Sequence, residues 1–116
     1  MRKKATKKRI KFCYKVVNEN LKSLGMKPNG HQVSTVQYRL NEWTYPLESI
    51  SRNPDKGGGL WVNPNLGSAR KLAKYVRKKY GRNVKIFLCL IGKILCQPSE
   101  YRLKTDKVKL IREIIE

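Results

Sequence analysis

Arg70, Lys71, Lys74, Arg77 and Lys78 fall within one short stretch, SARKLAKYVRKKYG from Ser68 to Gly81, and the chemistry open to them is neutralisation of anions. Cations gathered on one face attract phosphates and release the counterions condensed on a polyanion, which gives affinity without reading a base sequence. No Asp or Glu occurs between Ser68 and Lys93, so the i,i+4 ion pairs that balance most exposed helices are missing. The plain alternative is a solvated face. A face of one sign repels itself until an anion arrives, and that favours a binding role. Arg82 and Lys85 follow closely and join the expected phosphate-binding set. Arg2, Lys3, Lys4, Lys7, Lys8, Arg9 and Lys11 form a second candidate contact. With almost nothing apolar to bury, residues 1–11 read as a basic arm, mobile when free, that adds affinity but little specificity; the alternative is a solubilising tail.

Other chemistries find less support. Tyr14, Tyr38, Trp43, Tyr45, Trp61, Tyr75, Tyr80 and Tyr101 interleave with the charges. Exposed rings stack unpaired bases, and Trp43 with Tyr45, beside a long connection, is the best pair for it, although aromatics in strands usually belong to a core. Gly57 to Gly59 lack both the GxGxxG and the GxxxxGK[ST] spacing and precede a strand-like run, so they read as a turn rather than a phosphate loop. His31 is the only histidine, and Cys13, Cys89 and Cys96 lack ligand spacing, so no metal or other cofactor is expected and the thiols read as reduced and buried. With scattered carboxylates and no nucleophile motif, the chain offers no catalytic set.

The elements that must hold these residues follow from periodicity. Ala69, Leu72, Ala73, Val76 and Tyr80 recur at i, i+3, i+4, i+7 and i+11, which predicts an amphipathic helix with Ser68 as N-cap and Gly81 after its end. The five cations then occupy an arc of roughly 120° away from that stripe. IKFCYKVV reads as a strand ended by Asn18, and ENLKSLGMKPNG as a helical turn or a loop. STVQYRLNEW alternates Val36, Tyr38 and Leu40 against Gln37, Arg39 and Asn41, the pattern of a half-buried strand. Thr44 to Gly59 is a long connection, LWV a short strand, and Val84 to Ile91 a central strand turning at Gly92. QPSEYRLKT reads as a loop. DKVKLIREI reads as a final strand or a short helix, with Ile111 breaking its alternation.

A chain of 116 residues supports one core. The expected architecture is a basic arm at 1–11 and a single α+β domain at 12–116. Its sheet, mixed or mostly antiparallel with about four to six strands, carries the one basic helix on a face. The 27 Lys and Arg against 8 Asp and Glu give a net charge of +19, which implies an acidic partner. Nucleic acid, DNA or RNA, is the first choice, bound by its backbone with little sequence specificity. No apolar run reaches membrane-spanning length and FCYKVV is too short for a secretion signal, so no membrane role is expected and the cytoplasm is the expected compartment.

Taken together, YKVV, VQYRLNEW, GGGLWV, SARKLAKYV and DKVKLIREI resemble a pattern in a group of small phage and mobile-element proteins, spanning roughly residues 12 to 115. That group carries a Y-[KR]-x-x-E-W segment, a glycine-led strand and a VKLIREI-like end. The resemblance implies a viral setting in a host cytoplasm. With it comes the alternative of an inhibitor that occupies a host nuclease or RNA-guided defence complex, through protein contact and competition for nucleic acid. The element order is also similar to the ADP-ribosyltransferase-like fold, with Tyr14, Gly59, Ala73 and Tyr75 as matching positions and Glu100 or Glu113 in the glutamate's place. That likeness implies a transferase as a third alternative.

Overall fold

The most apolar run of the chain, Val84–Ile91, becomes the strand on which the others are built. In the computed structural model, which describes residues 12–24 and 36–115, the elements are β1 (Phe12–Asn18), β2 (Trp43–Thr44), β3 (Leu60–Val62), α1 (Leu66–Tyr80), β4 (Val84–Ile91), β5 (Ile94–Ser99), β6 (Arg102–Thr105) and β7 (Val108–Ile114). The first sheet runs β1-β4-β7-β2 and the second β3-β6-β5, and every pairing between these strands is antiparallel. Tyr14 and Asn63 exchange two backbone hydrogen bonds of 2.8 Å, which splices β1 to the end of β3. The chain is thus α+β but dominated by sheet, and the single sheet expected from the sequence is replaced by two.

Strand alternation sends successive side chains to opposite faces, and in the first sheet both faces are apolar. Val16, Val84 and Ile86 pack beneath Ala69, Ala73 and Val76 of α1. Cys13, Val17, Phe87, Cys89 and Ile91 face the other way, against Leu60, Val62 and Leu103 of the second sheet. The result is three layers: helix, four-stranded sheet, three-stranded sheet. Ile111 explains its own broken period. Cys89 pairs with Leu110 but Leu88 pairs with Arg112, so Ile111 is the extra residue of a β-bulge, which reverses the parity of the strand. Val108 and Leu110 therefore point between the sheets and Ile114 beneath the helix.

Four expectations are corrected. Asn65, not Ser68, caps α1, its Oδ1 accepting from the Ser68 amide at 2.8 Å; the helix starts one turn earlier, and Gly81 ends it at φ 62 as expected. Tyr80 leaves the buried stripe and is 44% exposed. Of the half-buried strand predicted at 34–43, the described part, residues 36–43, holds isolated bridges at Gln37 and Leu40 followed by the start of the two-residue β2; residues 34–35 lie outside the described residues. Tyr38 is buried but Leu40 is exposed, and Asn41 turns the chain at φ 63. QPSEYRLKT, expected as a loop, forms most of a β5–β6 hairpin turning at Glu100 and Tyr101. Of the two alternatives expected for the stretch after Asn18, its described part is a loop: Glu19 and Asn20 turn the chain into the Lys22–Gln37 bridge. The basic arm and His31 lie outside the described residues.

Cys13 and Cys89 are register partners, both fully buried, while Cys96 on β5 is half-buried; all three are free thiols. Burial pushes Cys13 up to about 11 and Cys89, with a further push from Cys13, to about 12. Thiolate is the reactive form, so iodoacetamide at pH 8 should alkylate Cys96 alone in the folded protein and all three cysteines in denaturant. Equal labelling of the three without denaturant would contradict this core.

Candidate nucleic-acid interface

The inner side of α1 is committed to the sheet, so its outer side is fixed in direction. Arg70, Lys71, Lys74, Lys78 and Lys79 are exposed on it, and Arg82 is exposed just beyond its end. Arg77 is exposed as well, but its Nη2 donates to the Val84 carbonyl at 2.9 Å, tying the last turn to the start of β4. Arg82 is anchored at 3.1 Å to the Leu24 carbonyl. Lys85 does not join the group. Without a bulge between Val84 and Leu88, it lies on the Phe87 and Cys89 side of β4, turned from the helix.

Lys79 was not among the residues singled out from sequence, yet it stands between two rings. Its Nζ lies 5.4 Å from the centre of Tyr75 and 5.7 Å from that of Tyr80, and it donates to the Tyr75 hydroxyl at 3.0 Å. That bond holds the Tyr75 phenol below its ordinary value and Lys79 above its own. The signal was present as tyrosines four residues before and one after a lysine on a helix. Lys71 lies 5.9 Å from Tyr101, and Arg82 5.9 Å from Tyr80.

The predicted pair Trp43 and Tyr45 separates. Trp43 is half-buried on β2, with Lys107 at 4.4 Å and Lys109 at 5.0 Å over its ring. Register places it in a cross-strand row Phe12, Leu90, Lys109, Trp43. Tyr45 is exposed on the connection that follows, as are Leu47 and Ile50. Of the transferase-like positions, Tyr14 packs toward α1 and Ala73 is buried on the inner side of α1, whereas Tyr75 is on its outer surface. Glu100 and Glu113 are both exposed. No group of three His, Cys, Asp or Glu able to hold a metal exists among the described residues, and no helix among them is long and apolar enough to cross a membrane.

The long connection from Tyr45 to Gly59 is held by cations. Lys104 is fully buried, and its Nζ donates to the carbonyls of Asn53, Lys56 and Gly57 at 3.0, 2.9 and 2.9 Å. Gly59 is required here, since a Cβ on it would stand 2.5 Å from Lys104 Cε. Arg52 reaches across to the edge carbonyls of Ile94 and Leu95 at 3.3 and 3.4 Å. Between the sheets, Lys15 Nζ donates to the Trp61 carbonyl at 2.6 Å, and burial lowers its pKa to about 8 against a weaker upward pull from Cys89. The neighbouring Tyr38 hydroxyl has no hydrogen-bond partner among the described residues, and burial, aided by Cys89, raises its pKa. Compared with protein-family models, curated proteins and solved structures, the chain matches none of them.

Two outcomes follow from these lysines. Lys104→Met leaves three carbonyls without their charged donor and should cost about 2–3 kcal/mol, with new proteolytic cleavage between residues 49 and 58; Gly59→Ala should cost ~1–3 kcal/mol by overpacking the same stem. Urea denaturation and limited proteolysis read both. For Lys15, the folded value near 8 lies below the ordinary 10.5, so between those values the unfolded chain holds a proton that the folded chain has released. Stability from this site therefore rises with pH across the window. The melting temperature of the wild type minus that of Lys15→Met should climb from pH 8 to pH 10, because the opposing titrations of Cys13, Cys89 and Tyr38 are common to both proteins.

Proposed function

We propose that the chain binds nucleic acid through its phosphate backbone, with little sequence specificity, using the outer face of α1. The observation that carries this reading is a rigid helix whose exposed Arg70, Lys71, Lys74 and Lys78 share one face in a segment, Lys56 to Ser99, that contains no Asp or Glu. Each phosphate neutralised releases a counterion and adds affinity that falls with salt. The amino-terminal cations Arg2, Lys3, Lys4, Lys7, Lys8 and Arg9 extend the contact in this reading, on composition alone. A second reading, contact with a host nucleic-acid-handling protein, draws on Tyr45, Leu47 and Ile50, which are 57%, 67% and 51% exposed on one connection and suit an apolar protein surface better than phosphate.

Anisotropy of a labelled DNA duplex across a salt series decides the first reading. Arg70→Glu/Lys74→Glu/Lys78→Glu should weaken binding at least tenfold near 0.1 M salt and make the log–log salt slope shallower by roughly two to three. Arg77 is left intact because it anchors β4. Duplex binding indifferent to both salt and the three reversals would remove the helix face from consideration.

A further inference from the structure

The outer edge of α1 carries more than charge. Along it, rings and cations alternate: Tyr101, Lys71, Tyr75, Lys79, Tyr80, Arg82, with ring-to-cation distances of 5.9 Å for Tyr101 and Lys71, 5.4 and 5.7 Å for Lys79 with its two tyrosines, and 5.9 Å for Tyr80 and Arg82. Lys71 and Tyr75 are four residues apart, one turn of the same helix face. The three rings are 52%, 47% and 44% exposed in the order Tyr101, Tyr75, Tyr80. Phenol rings that open to water on a surface this small are a cost unless something covers them.

We infer that this edge is a stacking platform for unpaired bases, so that the ligand of the chain is single-stranded nucleic acid rather than duplex. The inference rests on the phosphate-binding reading and deepens it. A single strand presents bases and phosphates in alternation, and a surface that alternates rings with cations meets both. Base–aromatic stacking is tolerant of sequence because each base has a π face. In a duplex the base faces are stacked on one another, so only the cations of this edge find partners.

The platform is positioned rather than floppy. Tyr75 and Tyr80 sit in the last turns of a capped helix, with ring centres 6.2 Å apart and planes 78° from parallel, so the two rings offer faces in different directions. Tyr101 is held by the β5–β6 turn: its amide donates to Ser99 Oγ at 3.1 Å, and its carbonyl accepts from Asn63 Nδ2 at 3.0 Å. Trp43 makes a weaker candidate. Its ring is half-buried, and two ammonium groups lie closer to it, at 4.4 and 5.0 Å, than any cation lies to the tyrosines.

The test measures affinity for a single-stranded DNA, a single-stranded RNA and a duplex of matched length at one salt concentration, and the emission of 2-aminopurine placed centrally in the single strand. Proteins compared are the wild type, Tyr75→Leu/Tyr80→Leu/Tyr101→Leu, Trp43→Leu, and the triple charge reversal. Wild type should favour both single strands over the duplex by about tenfold or more and quench 2-aminopurine. The tyrosine variant should lose ~10-fold or more on single strands, with the quench, and change less than about twofold on the duplex. If single strands and duplex bind alike, or the tyrosine variant binds single strands like wild type while the charge reversals still weaken all three ligands, the platform is refuted and the phosphate-binding reading stands. If Trp43→Leu alone abolishes the preference, the stacking surface is the β2 edge and the inference is equally overturned. Absence of binding to all three ligands refutes both.

Discussion

Because both faces of β4 are apolar, the four-stranded sheet has to be covered twice, and most of the molecule follows from that requirement. Val84 and Ile86 on one side call for the small residues of α1, Ala69, Ala73 and Val76, which let the helix sit close. Phe87, Cys89 and Ile91 on the other side call for the second sheet. Once the helix is committed through its inner stripe, its remaining surface has no choice but to face water. The segregation of cations there is therefore a structural consequence of core burial, and their number and lack of counter-charges are what need a functional reason.

In a chain with 27 basic and 8 acidic side chains, several cations, buried and exposed, are held by backbone carbonyls rather than by carboxylates. Lys15 donates to Trp61, Arg77 to Val84, Arg82 to Leu24, Arg52 to Ile94 and Leu95, and Lys104 to three carbonyls of one turn. A carbonyl accepts a charged donor without cancelling its charge. The internal bonds thus order the loops and leave the positive field of the molecule whole. Arg52 lies against the edge strand of the second sheet, its guanidinium donating to the Ile94 and Leu95 carbonyls of β5, which obstructs pairing there by another strand.

How much of this was legible in the sequence depended on whether the deciding partner was near in the chain. β1, β3, β4 and α1 came from local periodicity, as did the left-handed Gly81, because the residues that define them are neighbours. β6 did not, because Leu103, Lys104 and Thr105 show no alternation: Leu103 packs in the core, Lys104 bends its ammonium to a loop some fifty residues away in sequence, and Thr105 Oγ1 donates to Lys93 at 2.7 Å. The same holds for 36–43, where a clean alternation gave way to isolated bridges beside two residues, Leu21 at φ 61 and Asn41 at φ 63, that turn the backbone. At the candidate site the cationic arc was visible, but its aromatic edge was not, since Tyr101 reaches Lys71 only after the β5–β6 hairpin has formed.

The expectation for Tyr80 shows why this matters for function. At helical spacing it belongs to the apolar stripe, yet Val76 one turn before it is buried while Tyr80 is 44% exposed, in the last turn that Arg77 ties to the Val84 carbonyl. Displaced from the core, Tyr80 meets Lys79, Arg82 and the edge of Tyr75 instead. The alternation of rings and cations thus runs from Lys71 with Tyr101 to Arg82 with Tyr80, and the residues with least to do in holding the fold are the ones the solvent, or a ligand, meets first.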